Sequence, residues 1–325
     1  MAERLSAQQW SDYWKQGTLT SFHGHFQGNY DGPIRQFWED RFALLPPGSQ
    51  ILDLATGNGA VALLAAEYSR RHQRDFTITA IDFAQINAPQ PPSNIRFISY
   101  CPMEETGLED SQFDLITSQF GFEYGNTTRA LNEIRRLIKP TGYFSALMHH
   151  ADSAILDQAK EALQQTKRCE KSGLTQIATQ LALLQERLQH QGILSAKEQQ
   201  QAQHLHQALR QGIEKLQRHA ATQTDPSHLT LFTESILKLF SRQNAQRFSP
   251  QQRIAALQKL KDDNQYYRNR MKDLYSSSIT TRELKHIISI LEAKGFIIHL
   301  IQGLHYRSHL FCHSLVSQLY PRPSQ

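Results

Sequence analysis

The chain has 325 residues, 39% of them hydrophobic and 20% charged, with a net charge of +5 and a pI near 9.0. That length holds one large domain or one domain with a sizeable insertion, and no apolar run approaches the ~20 residues a membrane helix needs. The three cysteines (Cys101, Cys169, Cys312) are scattered without a CxxC pair, which argues against a disulfide framework or a zinc knuckle. The start, MAERLSAQQW, lacks a signal-peptide pattern, so a cytoplasmic protein is expected. The positive excess is local: residues 151–275 carry 18 Lys or Arg against 12 Asp or Glu, and the remainder carries 17 against 18. A polyanionic partner would therefore dock on that segment.

Residues 1–48 form an aromatic-rich cap that holds all three tryptophans (Trp10, Trp14, Trp38) and the stretch TSFHGHFQGNYDG at 20–32. Residues 51–54 read as a short buried strand and 60–68 as an amphipathic helix. Strands follow at 77–81, 95–98 and 113–117. A helix over 129–138 is stopped by Lys139-Pro-Thr-Gly142, and residues 143–148 form a fifth strand. Strands alternating with helices at this spacing predict βαβ units and a parallel sheet with ligands at the strands' carboxyl ends.

From 152 to 275 the sequence is Gln-rich and helical. Leu174, Ile177, Leu181, Leu184 and Leu188 form a heptad seam. After a break at 190–194, the capping box Ser195-Ala-Lys-Glu198 opens a helix carrying Leu205, Leu209 and Leu216, which predicts an antiparallel hairpin. A helix over 229–240 and a charged one, opened by Ser249-Pro250 and ending near Tyr275, complete the insertion. It is expected to act as a lid on an acceptor pocket or as a homodimer element. Its basic residues Lys259, Lys261, Arg268, Arg270 and Lys272 read as a solvated face. The α/β pattern then resumes with the capping box Thr280-Thr-Arg-Glu283, a helix to Lys294, a stop at Gly295, and strands at 296–301 and 310–316.

The turn Asp53-Leu-Ala-Thr-Gly57-Asn-Gly59 joins the first strand to the first sheet helix. Its glycines let backbone approach a ligand, and the helix N-terminus aims free N–H groups at it. Asp82 ends the second strand, where a carboxylate can accept both hydroxyls of a ribose. Gly57-Asn-Gly59-Ala-Val-Ala62 fits a GxGxxA dinucleotide fingerprint, and the same turn fits an S-adenosylmethionine loop with an acidic residue ahead of its first small residue. Asp53 favours the second, because a carboxylate there suits an amino group and repels a pyrophosphate.

With these stretches in order, namely ILDLATGNGAVALLAA, ITAIDFA, FDLITSQFGFEY, ALNEIRRLIKPTGYFSALM and ILEAKGFIIHLIQGL, the chain resembles the class I S-adenosylmethionine-dependent methyltransferases. The likeness covers most of 50–150 and 279–317. It implies an α/β, Rossmann-like seven-stranded sheet whose last strand is antiparallel, built from 49–151 and 276–325, with an N-terminal helical cap and an all-helical insertion at 152–275. It implies that Asp53, Ala55, Gly57 and Gly59, with Thr56 and Asn58 of the same turn, surround the methionine part of the cofactor. Asp82 would hold the ribose, Phe83 the adenine, Met103 and Glu104 the adenine edge, and Gln119 would lie beside the cofactor. Two positions depart from the pattern: Ala55 replaces a glycine, and Pro102 stands where an acidic residue often meets the adenine amino group.

Methyl transfer from a sulfonium is an in-line displacement for which the protein supplies alignment and a dry site. A base is needed when the acceptor oxygen or nitrogen starts protonated. His149, His150, Glu123 and Tyr30 are the candidates, with Phe22, His23, Phe26 and Tyr124 lining the acceptor, since aromatic faces stabilise a sulfonium or a cationic acceptor. The pair His23/His25 offers only two ligands, so no metal is expected. Ser118-Gln-Phe-Gly121 is not the Asn/Asp-Pro-Pro-aromatic signature of amino-adenine methyltransferases. No Pro-Cys nucleophile pair follows that strand, and no arginine-methyltransferase two-glutamate loop is present. A small-molecule acceptor is expected, with no membrane partner. The alternatives are nucleic acid or protein docked by the basic insertion, a catalytically silent assembly protein, and a nicotinamide dehydrogenase.

Overall fold

A computed structural model of the chain describes residues 4–21, 26, 28–88, 90–241, 244 and 247–320. Its packing divides it into two compact units, one made of residues up to Leu156 with those from Asp273 onward, the other of Asp157–Lys272. Among the described residues no helix is long and apolar enough to cross a membrane.

The first unit is built on seven strands: β1 (Gln50–Leu54), β2 (Thr77–Ile81), β3 (Ile95–Ile98), β4 (Phe113–Gln119), β5 (Ile138–His149), β6 (Phe296–Tyr306) and β7 (His309–Leu319). They lie in the order β3-β2-β1-β4-β5-β7-β6, with β7 antiparallel to both neighbours and the other pairs parallel. The resemblance implied this arrangement. Strand order reverses between β1 and β4, and in open α/β sheets ligands bind at the carboxyl ends beside such a reversal. Helices α1 (Ala7–Trp14), α2 (Gly32–Ala43), α3 (Ala60–His72) and α4 (Thr127–Leu137) precede the second unit. That unit is carried by α5 (Ala154–Lys171), α6 (Leu174–Gln191), α7 (Ala196–Ala220), α8 (Ser227–Phe240) and α9 (Pro250–Ser277), and α10 (Thr281–Ala293) follows it.

The hydrophobic stripes of α4 and α10 press Leu131, Ile134, Leu137, Leu284, Ile287 and Leu291 against Leu52, Ile116, Phe144 and Leu315 of the sheet. α3 packs on β2, β3 and β4 outside that cluster, and α2 packs on α3 and β6. Two expectations change. No helix lies between β2 and β3 or between β3 and β4 among the described residues. Prolines at 91, 92 and 102 and left-handed backbone at Gln90, Tyr100 and Ser111 keep those crossovers irregular. Lys139 to Gly142 do not interrupt the sheet but extend β5. Phe113 pairs with Ile138 and Leu115 with Tyr143, so a bulge absorbs the extra residues, with Thr141 at φ 67°.

In the second unit α6 and α7 run antiparallel. Arg187 Nη1 donates to Glu198 Oε1 at 3.2 Å near the turn, and Gly212 lies against Leu174 at the far end. Leu174, Leu181 and Leu184 are buried with Leu205, Leu209 and Ile213 of α7, with Leu229, Phe232, Ile236 and Leu239 of α8, and with Leu257 of α9. The seam thus meets its own bundle, and it tapers through half-buried Ile177 to Leu188, which is 43% exposed. Leu181→Ala is therefore expected to cost about 3 kcal/mol in denaturant unfolding, through lost contact and the cavity left behind. Leu188→Ala should cost less than about 1 kcal/mol, and the reverse ranking would show that the seam faces something else.

Candidate active site

Two carboxyls close the ends of β1 and β2. Asp53, 1% exposed, accepts from Thr117 Oγ1 at 2.8 Å on one oxygen and from Thr56 Oγ1 at 2.5 Å on the other. Asp82, 7% exposed, accepts from the backbone N–H of Gly57 at 2.7 Å and of Ala84 at 2.8 Å. Burial pushes both up to about 6; hydroxyl donors pull Asp53 back and backbone donors pull Asp82 back. Asp82 thereby ties the tip of the β1–α3 turn to β2. Ala55 holds φ 52° at the position where the family places glycine, and the backbone of Gly121 lies directly on its Cβ.

A cavity of ≈ 320 Å³ opens beside this turn, lined by Ala55, Asp82, Phe83, Met103, Glu104 and Tyr124 among others. Its cover comes from the N-terminal cap. Trp10 meets Tyr124 edge-on at 5.4 Å between ring centroids, and the indole of Trp14 fills the space where a Cβ on Gly57 would stand. Arg4 donates to the carbonyls of Tyr124 and Gly125. The Leu5 N–H donates to Asp273 Oδ2 at 3.3 Å. Asp273 lines the same cavity, and burial raises its carboxyl.

A smaller cavity of ≈ 30 Å³ lies behind Ala55 and Phe120, walled by Asp53, Thr56, Gln119, Tyr30 and Trp14. Tyr30 is buried, with its hydroxyl 3.4 Å from both the N–H and the Oγ of Ser21. Burial drives its phenol up to about 12, so it stays neutral. Gln119 is oriented by the indole N–H of Trp38, which donates to its Oε1.

The remaining sequence candidates scatter. Asn58 does not face the cavity. Its amide donates to the carbonyls of Trp14 at 3.0 Å and Thr18 at 2.8 Å and accepts from the Asn87 N–H, which locks the cap to the turn. Gly59 starts α3 at φ 90° with Phe97 packed where a Cβ would go. Glu104 accepts from the Asn126 N–H at 2.6 Å. Phe26 packs behind Tyr30, at 4.9 Å between ring centroids, with Tyr306 on its other side. Phe22 and His23, like His25, lie outside the described residues.

Neither His149 nor His150 lines either cavity. His149 stacks on Phe120 at 4.6 Å, and burial drives its imidazole down to about 3, which makes it a poor base at neutral pH. His150 stacks on His313 at 3.7 Å and accepts from the Asp152 N–H. Glu123 accepts from the His149 N–H at 2.7 Å, and burial lifts it to about 7. That value suits a base, yet Glu123 does not line either cavity. Among the described residues no cluster of three or more His, Cys, Asp or Glu is placed to hold a metal ion.

Sequence reasoning passed over Arg4, Trp10, Trp14, Trp38 and Asp273 as individual site residues. The clustering of every tryptophan before residue 40 was a usable signal for three of them, whereas Asp273, inside a charged helix, gave none.

Two tests follow from this geometry. Asp53, Asp82 and Glu123 are raised above their unfolded values, so the stability they contribute is complete below pH about 4 and is lost as pH rises through about 6 to 7. Compared with an Asp53→Asn/Glu123→Gln double variant, the wild-type melting temperature is expected to fall progressively from pH about 4 to about 7 and then level off; a constant difference would show that these carboxyls are not buried as described. Gly121→Ala should destabilise by about 1–3 kcal/mol through overpacking on Ala55, and adding Ala55→Gly should recover most of that loss. Simple additivity in this cycle would refute the contact.

The comparisons with known proteins bear on this arrangement. The ubiquinone/menaquinone biosynthesis C-methyltransferase of Rickettsia felis is 29% identical over 152 residues, which span 41% of this chain and 61% of that relative. Its counterpart in Rickettsia prowazekii is 30% identical over 126 residues, spanning 35% and 50%. The chain thus matches only between 50% and 61% of the length of these curated relatives. Among solved structures, a SAM dependent methyltransferase from Aquifex aeolicus aligns over 97% of this chain and 100% of that one at 11% identity and a TM-score of 0.42. Burkholderia thailandensis 1,6-didemethyltoxoflavin-N1-methyltransferase, solved with bound 1,6-didemethyltoxoflavin and S-adenosylhomocysteine, aligns over 37% of this chain and 52% of that one at 19% identity and a TM-score of 0.31. The family model described as Methyltransferase domain matches residues 45–290, from just before β1 through most of α10. The chain belongs to that methyltransferase-domain family.

Proposed function

We propose that the chain moves a methyl group from S-adenosylmethionine to an oxygen or nitrogen of a small-molecule acceptor by in-line displacement. The observation that carries this reading is the pair of buried carboxyls flanking the Gly57 turn where the ≈ 320 Å³ cavity opens. The residues fit the donor. Asp82 is placed for a ribose, Phe83, 49% exposed, offers a face for an adenine, and Asp53 and Gln119 wall the smaller cavity where a methionyl group would end. When bound, the donor supplies an electrophilic methyl on a sulfonium. Trp10 and Trp14 of the cap, with Phe120 and Tyr124 after β4, exclude water and present π faces to positive charge. Asp82 accepts a backbone N–H on each oxygen and keeps further lone pairs for ribose hydroxyls. Asp273 accepts the Leu5 N–H on one oxygen and has no hydrogen-bond partner on the other among the described residues, so it is the carboxyl we assign to a polar hydrogen of the acceptor.

Transfer to carbon is a second reading, supported by the curated relatives named as C-methyltransferases. Calorimetry is expected to detect S-adenosylhomocysteine binding that weakens tenfold or more in Asp82→Ala, since charge-assisted hydrogen bonds are lost. Incubation with methyl-labelled donor and fractionated extract then separates the readings. O- or N-methyl label in small molecules supports the first and C-methyl label the second, while label confined to nucleic acid or protein overturns both.

A further inference from the structure

The second unit holds a basic groove unrelated to the methyl-transfer cavity. It encloses ≈ 680 Å³ and is lined by Arg168 and Lys171 at the end of α5, and by Lys215, Arg218 and His219 near the end of α7. Ser172 and Thr222 add hydroxyls, and Leu216 forms part of its apolar lining. No carboxylate lines it. The nearest acids in sequence are engaged elsewhere, Glu170 with Arg268 at 2.5 Å and Glu214 with Arg210 at 2.9 Å. None of Arg168, Lys171, Lys215 and Arg218 forms an ion pair among the described residues.

A structural explanation is available for some of this charge, because cations in a last turn complement the helix dipole. Two helix C-termini supply about half a negative charge each, which offsets about one of the four formal positive charges. α6 begins beside Ser172 at Gly173 with no side-chain cap, and its N-terminus returns about half a positive charge. An uncompensated excess of roughly three and a half charges therefore converges on one concavity.

Two of the basic residues that the sequence put forward are paired instead: Lys259 with Asp263 at 2.6 Å and Arg268 with Glu170 at 2.5 Å. Arg187 and Lys160 are likewise paired. Four of the unpaired cations thus converge on a groove of small-ligand size, which differs from the long stripe that tracks a nucleic-acid backbone.

We propose that this groove binds a compact ligand bearing two or more clustered phosphates, such as an inorganic oligophosphate or the phosphate chain of a nucleotide. Guanidinium and ammonium groups on facing helices would hold the phosphate oxygens, with Ser172 and Thr222 donating alongside.

The test is calorimetric titration of the full chain with inorganic tripolyphosphate. The charge reversals are Lys215→Glu and Arg218→Glu, with Lys197→Glu as control. Lys197 lies on the same helix about 27 Å away, and circular dichroism verifies that each variant is folded. Saturable binding is expected, weakened tenfold or more by either groove reversal and unchanged by the control. ADP that binds more tightly than tripolyphosphate, with the same sensitivity to both reversals, would identify a nucleotide as the source of the phosphates. No binding of tripolyphosphate to the wild type, or equal loss in Lys197→Glu, would overturn the proposal. Groove-dependent binding of a short RNA that tripolyphosphate cannot displace would also overturn it, in favour of a nucleic-acid face.

Discussion

Burying a carboxylate costs several kcal/mol unless hydrogen bonds and charge offset it, and this chain buries two at neighbouring strand ends. Burial raises Asp53, and the charge of Asp82 adds to that rise. Hydroxyls of Thr56 and Thr117 satisfy one and the backbone of Gly57 and Ala84 the other. Those bonds fix the path of the β1–α3 turn, and the turn fixes where α3 begins. Even so both carboxyls remain raised to about 6, which is the condition of a site built to receive positive charge and hydroxyl donors.

The N-terminal cap is the second half of that arrangement. Asn58 bonds two carbonyls of the cap, and Trp14 packs onto Gly57, so the turn and the cap are one piece of structure. A side chain at position 57 would displace the indole. The alanine at 55 carries the left-handed conformation that glycine adopts without strain, at a cost of roughly 1–2 kcal/mol. Its methyl in turn is accommodated because the facing residue is Gly121. The departure from the family pattern at one position is therefore matched by a glycine at another.

The sheet was legible because its strands are short apolar runs bounded by Asp, Gly and Pro, and because the order of motifs carries topology. The helical crossovers around β3 were not present to be read, since prolines and left-handed residues occupy them. The apolar seam of α6 was read correctly as a helix face, but periodicity cannot say which surface covers it; α7 and α8 do. The site divides the same way. Asp53, Asp82 and Gln119 at strand ends line the two cavities, whereas His149 and His150 at the end of β5 pack on Phe120 and His313. Because adjacent side chains alternate between faces, neither face at the end of β5 brings a histidine to the cavities, and a sequence does not say how far along the sheet edge a cavity extends.

Asp273 shows the limit most clearly. It meets Leu5 across 268 positions of sequence, near the end of a long charged helix, and contributes a carboxyl to a cavity otherwise walled by residues of the cap and the β-strand ends. Its second oxygen has no hydrogen-bond partner among the described residues. Glu123, whose pKa near 7 would make it the stronger base, spends one oxygen on the His149 N–H and does not line the cavity. On the proposed reading, an acceptor that arrives protonated must give its hydrogen toward Asp273, or else arrive already ionised, because proton transfer requires contact before it requires a matched pKa. The placement of one helix end, rather than the motifs of the sheet, then selects which acceptors can react.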